Sequence, residues 1–177
     1  SAKYVIHLDH GRWEQVLSAI KLGFNSIMYD GSHLPFEENI AKTRQIVEIC
    51  HEFGIPVEAE LGRIPDAGEQ VNWDDYYTDV AEAERFARET GIDTLAISVG
   101  IVHGVASGEP QPLDIPRIEK IRDELAAMPN VTMLPRTTVF GYMDSNYLTL
   151  NERVTDHLPK RPAHLPRQRL WKVRAKQ

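Results

Sequence analysis

Three observations predict an α/β fold of the parallel, barrel-forming kind. Four short, near-continuous hydrophobic runs, at 4–8, 26–29, 55–59 and 94–99, have the character of strands buried on both faces. The segments between them carry apolar residues at helical spacing. Strand and helix then alternate, which forces parallel pairing and brings every strand to an end at the same face. The spacing suits a (β/α)₈ barrel. Such barrels typically take ~250 residues, so a chain of 177 residues holds an incomplete barrel of four to five β/α units.

After the first run, Trp13, Val16, Leu17 and Ile20 line one helix face, and Gly23 is the stop. After the second, Phe36, Ile40, Thr43, Val47 and Cys50 continue at 4-3-4-3 spacing to Gly54, with Pro35 suited to the first turn. The third run leads into a polar loop, 64–77, long enough to be functional. Thr78 is the expected cap of the next helix, with Asp79 and Glu82 in its first turn and Gly91 at its end. After the fourth run, a loop over 101–113 precedes a helix starting near Asp114, with Pro116 in its first turn. Val131–Leu134 is a candidate fifth strand. The expected core draws Val5, Ile27, Val57, Leu95 and Ile97 from strands and Val16, Ile20, Ile40, Val47 and Phe86 from helices.

Composition divides the chain at about residue 132. Residues 1–132 carry 11 Lys and Arg against 23 Asp and Glu, whereas residues 133–177 carry 9 against 3 and four of the 11 prolines. The expected organisation is therefore a barrel-type domain over 1–132 and a basic, proline-bearing tail over 133–177. No run approaches the ~18 apolar residues of a membrane helix, and Ser1-Ala2-Lys3 does not open a signal-peptide pattern. Cys50 is the single cysteine, so an internal disulfide is excluded and a reducing, cytoplasmic setting is expected.

The strand ends carry the chemistry. Asp9 and His10 close the first run, Asp30 the second and Glu60 the third, and His103 follows the fourth. Parallel pairing brings these residues to one mouth. Each has a plain structural reading as well: a polar strand end at Asp9-His10, a turn at Asp30-Gly31-Ser32, a loop histidine at His103-Gly104. Glu58 and Glu60 share a strand face, where two carboxylates call for a cation or a basic partner. A metal-dependent active site accounts for all of these positions together.

The wording of these segments is more specific still. Ile6-His7-Leu8-Asp9-His10-Gly11, the run Ser26-Ile27-Met28-Tyr29-Asp30-Gly31-Ser32-His33-Leu34-Pro35-Phe36-Glu37-Glu38-Asn39, Val57-Glu58-Ala59-Glu60-Leu61-Gly62, Tyr77-Thr78-Asp79 and Gly100-Ile101-Val102-His103-Gly104 closely resemble class II, zinc-dependent fructose-bisphosphate and tagatose-bisphosphate aldolases over about residues 3–132. The resemblance implies that Asp9 is the catalytic acid/base and that His10 and His103 are two of three zinc ligands. It implies that Asp30 and Glu60 form a second, alternative position for a divalent or monovalent cation, and that Gly104 contacts substrate through its backbone. The implied reaction cleaves a ketose 1,6-bisphosphate between C3 and C4. A zinc ion stabilises the resulting enediolate and a carboxylate removes the C4 hydroxyl proton. The implied partners are a phosphorylated sugar and further copies of the chain, with neither nucleic acid nor membrane expected.

Both ends depart from the family pattern. Two strands precede the His-Leu-Asp-His segment in the family. A Leu-His-Gly-Gly-Ser-Gly type of segment there supplies the third zinc histidine and phosphate-binding glycines, where this chain reads Met133-Leu134-Pro135-Arg136-Thr137-Thr138. The family's last Asn-Ile-Asp-Thr type of strand is also missing. His157 and His164 are the tail's alternatives for the third imidazole. The tail reads either as a basic arm for an anionic partner, through Arg161, Arg167, Arg169, Lys172, Arg174 and Lys176, or as an end unrelated to the fold. Three functions follow: an aldolase, a non-catalytic metal-binding remnant that self-associates, or a different metal-dependent barrel enzyme. The last is disfavoured because no His-x-His pair follows a strand.

Overall fold

Apolar strands and amphipathic helices alternate in space as they do along the chain. The computed structural model describes residues 5–104, 112–131, 137–143, 147–155, 158–160 and 162–174. It divides into one unit over residues 6–131 and a second made of residues 1–5 and 132–177.

In the first unit, strands β1 (His7–Gly11), β2 (Ser26–Tyr29), β3 (Val57–Leu61) and β4 (Thr94–Ile97) form one sheet in the order β1-β2-β3-β4. Every pairing is parallel. Helices α1 (Trp13–Lys21), α2 (Phe36–Glu52), α3 (Val80–Thr90) and α4 (Ile115–Ala126) follow the four strands in turn. This is four consecutive β/α units of a barrel. No helix among the described residues is long and apolar enough to cross a membrane.

Two buried clusters join the sheet to its helices. Val16, Ala19, Ile27, Tyr29, Ile46, Val47, Cys50, Ile55 and Val57 make one. Ile40, Ala59, Leu61, Ala83, Phe86 and Ile121 make the other, with Leu95 and Ile97 packed against it from partly buried positions. Ile20 is likewise only partly buried, at the margin of the first cluster. Val5 departs from the expected core. It is 52% exposed, because it stands two residues ahead of the first paired residue, His7, and outside both clusters.

Three boundaries also move. β1 and β3 extend two to three residues further than their apolar runs, so Asp9, His10 and Glu60 lie inside strands rather than after them. β4 stops at Ile97. The cap of α3 is Asp79, whose carboxylate accepts from the Glu82 N–H, while Thr78 turns inward and is buried. Both residues are good caps, but the Thr78 hydroxyl is taken up inside by the Leu61 carbonyl and the Ser98 N–H, which leaves the capping role to Asp79. The expected fifth strand is not formed at Val131, and its remainder lies outside the described residues, as do 105–111 of the loop before α4.

The second unit is a three-stranded antiparallel sheet, β5 (Thr137–Met143), β6 (Tyr147–Arg153) and β7 (Gln168–Arg174), in that order. Glu152 accepts from Trp171 Nε1 at 2.7 Å and from Arg169 at 3.2 Å. Arg169 in turn lies over the Trp171 ring, 5.4 Å from its centroid. Thr155 is buried and donates to the Pro166 carbonyl.

Phe86 is fully buried and meets the Phe36 ring at 6.3 Å. Phe86→Ala is expected to cost about 3–5 kcal/mol of stability. The shift of the urea unfolding midpoint relative to wild type checks this.

Candidate metal centre

The parallel ladder sets the site. Gly11 pairs with Tyr29, Tyr29 with Ala59 and Leu61 with Ile97, so the C-terminal ends of the four strands lie side by side. A register shift between Leu8 and Gly11 bulges β1 at Asp9-His10. His10 takes φ +48°, a left-handed conformation that a non-glycine residue holds only where its surroundings impose it. The bulge turns the imidazole toward β2 and β3.

There His10 Nδ1 lies 3.1 Å from Asp30 Oδ2 and 3.7 Å from Glu60 Oε2. Ligand atoms of His10, Asp30 and Glu60 all fall within 4.8 Å of one another. His103 lies outside that group of three but meets His10 ring to ring, 4.9 Å apart and at 80°. Asp9 is at the rim, its side chain 75% exposed, with Oδ1 4.0 Å from His10 Nε2. Gly104 follows His103 with φ +83°. Parallel pairing therefore brings the expected residues of all four strand ends to one edge.

The carboxylates sit in unequal surroundings. Asp30 Oδ1 accepts from the Ser32 hydroxyl at 2.6 Å and the Ser32 N–H at 3.0 Å. Burial pushes Asp30 upward, but the bonds from Ser32 and His10 outweigh it and hold the group below its ordinary value. Glu60 is 2% exposed. Burial, then the neighbouring Asp30 charge, pushes it up to about 7, against the opposing pull of His10, Ser32 and the Ile64 N–H. Burial lowers His10, yet the bond to Asp30 and the charges of Glu60, Asp30 and Asp9 leave it raised.

Glu60 Oε2 is buried and has no hydrogen-bond partner. A buried carboxylate oxygen in that condition fits a cation. Imidazole nitrogen and carboxylate oxygen are the donor types that zinc takes, so the residues present fit the metal that the resemblance implies.

The supporting polar residues are less visible in the sequence. Asn39 is buried on α2, donates to the Glu60 carbonyl at 3.1 Å and accepts from Thr43 Oγ1 at 3.0 Å. Two polar residues four apart on the apolar face of a helix were the available signal. On the same sheet, His7 Nδ1 lies 2.8 Å from Ser26 Oγ, and His7 Nε2 lies 4.0 Å from Glu58, so Glu58 has a basic partner and takes no part in the centre.

Comparison with known proteins shows the family to which these strands and helices belong. The family profile of "Fructose-bisphosphate aldolase class-II" matches residues 1–135. The YdjI aldolase from Escherichia coli K12 is 41% identical over 68% of this chain, with a TM-score of 0.57. A candidate fructose-1,6-biphosphate aldolase from Coccidioides immitis is 39% identical over 69% of this chain, with a TM-score of 0.61. This chain spans 41% and 45% of the lengths of those two proteins.

The raised Glu60 has a consequence for stability. Its proton binds near pH 7 in the folded chain and near 4.5 otherwise. Between those values the folded state holds more protons, so stability falls as pH rises through this window, by at most about 3 kcal/mol. The raised His10 acts in the same direction. Urea unfolding with chelator present, from pH 4.5 to 7.5, is expected to show this decline in wild type and a flatter profile in Glu60→Gln.

Proposed function

Because the chain belongs to the class II fructose-bisphosphate aldolase family, we propose that the edge formed by His10, Asp30, Glu60 and His103 holds the zinc of a ketose-bisphosphate aldolase. The observation that carries this reading is the convergence of three donors within 4.8 Å, with the His103 imidazole against His10. His10 and His103 are the catalytic zinc ligands, and Asp30 with Glu60 provides the alternative position for a second cation. The reaction is reversible cleavage of a ketose 1,6-bisphosphate to dihydroxyacetone phosphate and an aldehyde.

The protein's own groups divide the work. Asp9 reaches into solvent beside His10, where a substrate hydroxyl can approach, and its carboxylate takes the C4 hydroxyl proton as the C3–C4 bond breaks. His10 is oriented by Asp30, which fixes the face its ring presents. The Gly104 backbone meets the substrate beside His103. Bound zinc supplies Lewis-acid stabilisation of the negative charge that develops on substrate oxygen. The outer edges of β1 and β4 have no strand partner among the described residues, which supports self-association of copies.

Calorimetric titration of the metal-free chain with zinc is expected to show binding that weakens at least tenfold in the His10→Ala, His103→Ala double variant. Equal affinity would remove the metal centre. A coupled assay for dihydroxyacetone phosphate then decides the chemistry. Turnover is expected to be low, since Pro135 and Arg136 stand where the family's third imidazole and phosphate-binding glycines belong. Turnover that needs zinc and disappears in Asp9→Ala supports the aldolase; zinc binding with no turnover supports the non-catalytic remnant.

A further inference from the structure

Thr78 is fully buried, and its hydroxyl and N–H are engaged at the ends of β3 and β4 while its carbonyl faces α4. Its hydroxyl donates to the Leu61 carbonyl and accepts from the Ser98 N–H, the latter at 2.8 Å. A threonine hydroxyl has one proton to give, so this is a single bridge with a defined direction. The Thr78 N–H donates to the Ser98 carbonyl at 3.0 Å, and the Thr78 carbonyl accepts from Arg117 at 2.8 Å. Arg117 is itself held by Asp114 at 2.9 Å and lies 4.7 Å over the Tyr77 ring, which anchors the bridge to the start of α4.

The position of this bridge is what gives it meaning. The β3–β4 ladder ends at the pair Leu61–Ile97. Thr78 joins Leu61 to the next residue, Ser98, and so continues the pairing through a side chain where the backbone ladder stops. Leu61 adjoins Glu60. Ser98 begins the segment that runs to His103, and its hydroxyl donates to the Arg63 carbonyl at 2.9 Å. The two segments stay together as far as His103, whose N–H donates to the Pro65 carbonyl and whose carbonyl accepts from the Ala67 N–H, both at 2.9 Å. Gly62 leaves room for this packing: a Cβ there would come within 2.8 Å of the Thr78 nitrogen.

We propose that Thr78 is a positioning residue for the metal centre, its hydroxyl setting the distance between the Glu60 end of β3 and the segment that carries His103. The inference rests on the metal centre described above. It assigns to Thr78 a role separate from helix capping, which belongs to Asp79.

Cobalt(II) titration of the full chain, followed by the visible absorption of the bound ion, tests it. Thr78→Val keeps the shape but removes both hydroxyl bonds, and is expected to weaken cobalt binding 10–100-fold and alter the spectrum. Thr78→Ser keeps the hydroxyl and is expected to bind within a few-fold of wild type. A purely structural threonine would lower the unfolding midpoint in Thr78→Val while leaving the affinity and spectrum of the folded protein unchanged, and that result overturns the proposal. If Thr78→Val does not fold, Thr78→Ala carries the same comparison: wild-type affinity in it overturns the proposal. Cobalt binding that His10→Ala leaves unchanged would overturn the metal centre itself, and the role of Thr78 with it.

Discussion

Parallel pairing of four short strands is the constraint on which the rest of the first unit depends. Helical crossovers return the chain to the same end of the sheet each time, so every strand finishes at one edge. Residues far apart in sequence become neighbours there without any local signal that connects them. The bulge at Asp9-His10 then completes the arrangement by turning one imidazole inward and leaving the adjacent carboxylate exposed. A regular strand would also have sent these two side chains to opposite faces, but it would not have required the left-handed backbone at His10.

The edge concentrates charge that the core does not tolerate unaided. Glu60 loses its hydration almost completely, and its burial is only partly offset by His10, Ser32 and the Ile64 N–H. Asp30 stands closer to water and carries enough hydrogen bonds to stay ionised readily. Two carboxylates in different surroundings beside one imidazole favour occupancy by a cation. Beneath them, Asn39 and Thr43 hold the Glu60 backbone from α2, while Thr78 and Ser98 hold the ends of β3 and β4. These hydrogen bonds are directional in a way that apolar packing is not.

The second unit follows different rules. Its antiparallel strands and basic composition separate it from the acidic, parallel first unit, and the family match ends at residue 135, close to where the second unit begins. Arg169 is paired with Glu152 and stacked on Trp171 within its own sheet. That engagement weakens the reading of this arginine as part of a free anion-binding arm. His157 lies outside the described residues, and His164 is exposed within this unit.

For the first unit, the sequence by itself determined the α/β class, the order of its four strands and four helices, and the residues that meet at the strand ends, whereas the three antiparallel strands of the second unit were not legible in it. Each depends on periodicity, on chain punctuation by Gly and Pro, or on a resemblance carried by contiguous words such as Asp30-Gly31-Ser32-His33-Leu34-Pro35. Tertiary structure decided what local spacing does not encode. Val5 is apolar yet exposed, because burial depends on what covers a residue. Thr78 and Asp79 are equivalent as caps in sequence, and only the gap between β3 and β4 selects which hydroxyl or carboxylate faces inward. The bulge at His10, the raised Glu60 and the edge-to-face contact of His103 with His10 all arise from neighbours on other segments, at distances along the chain over which propensity has no reach.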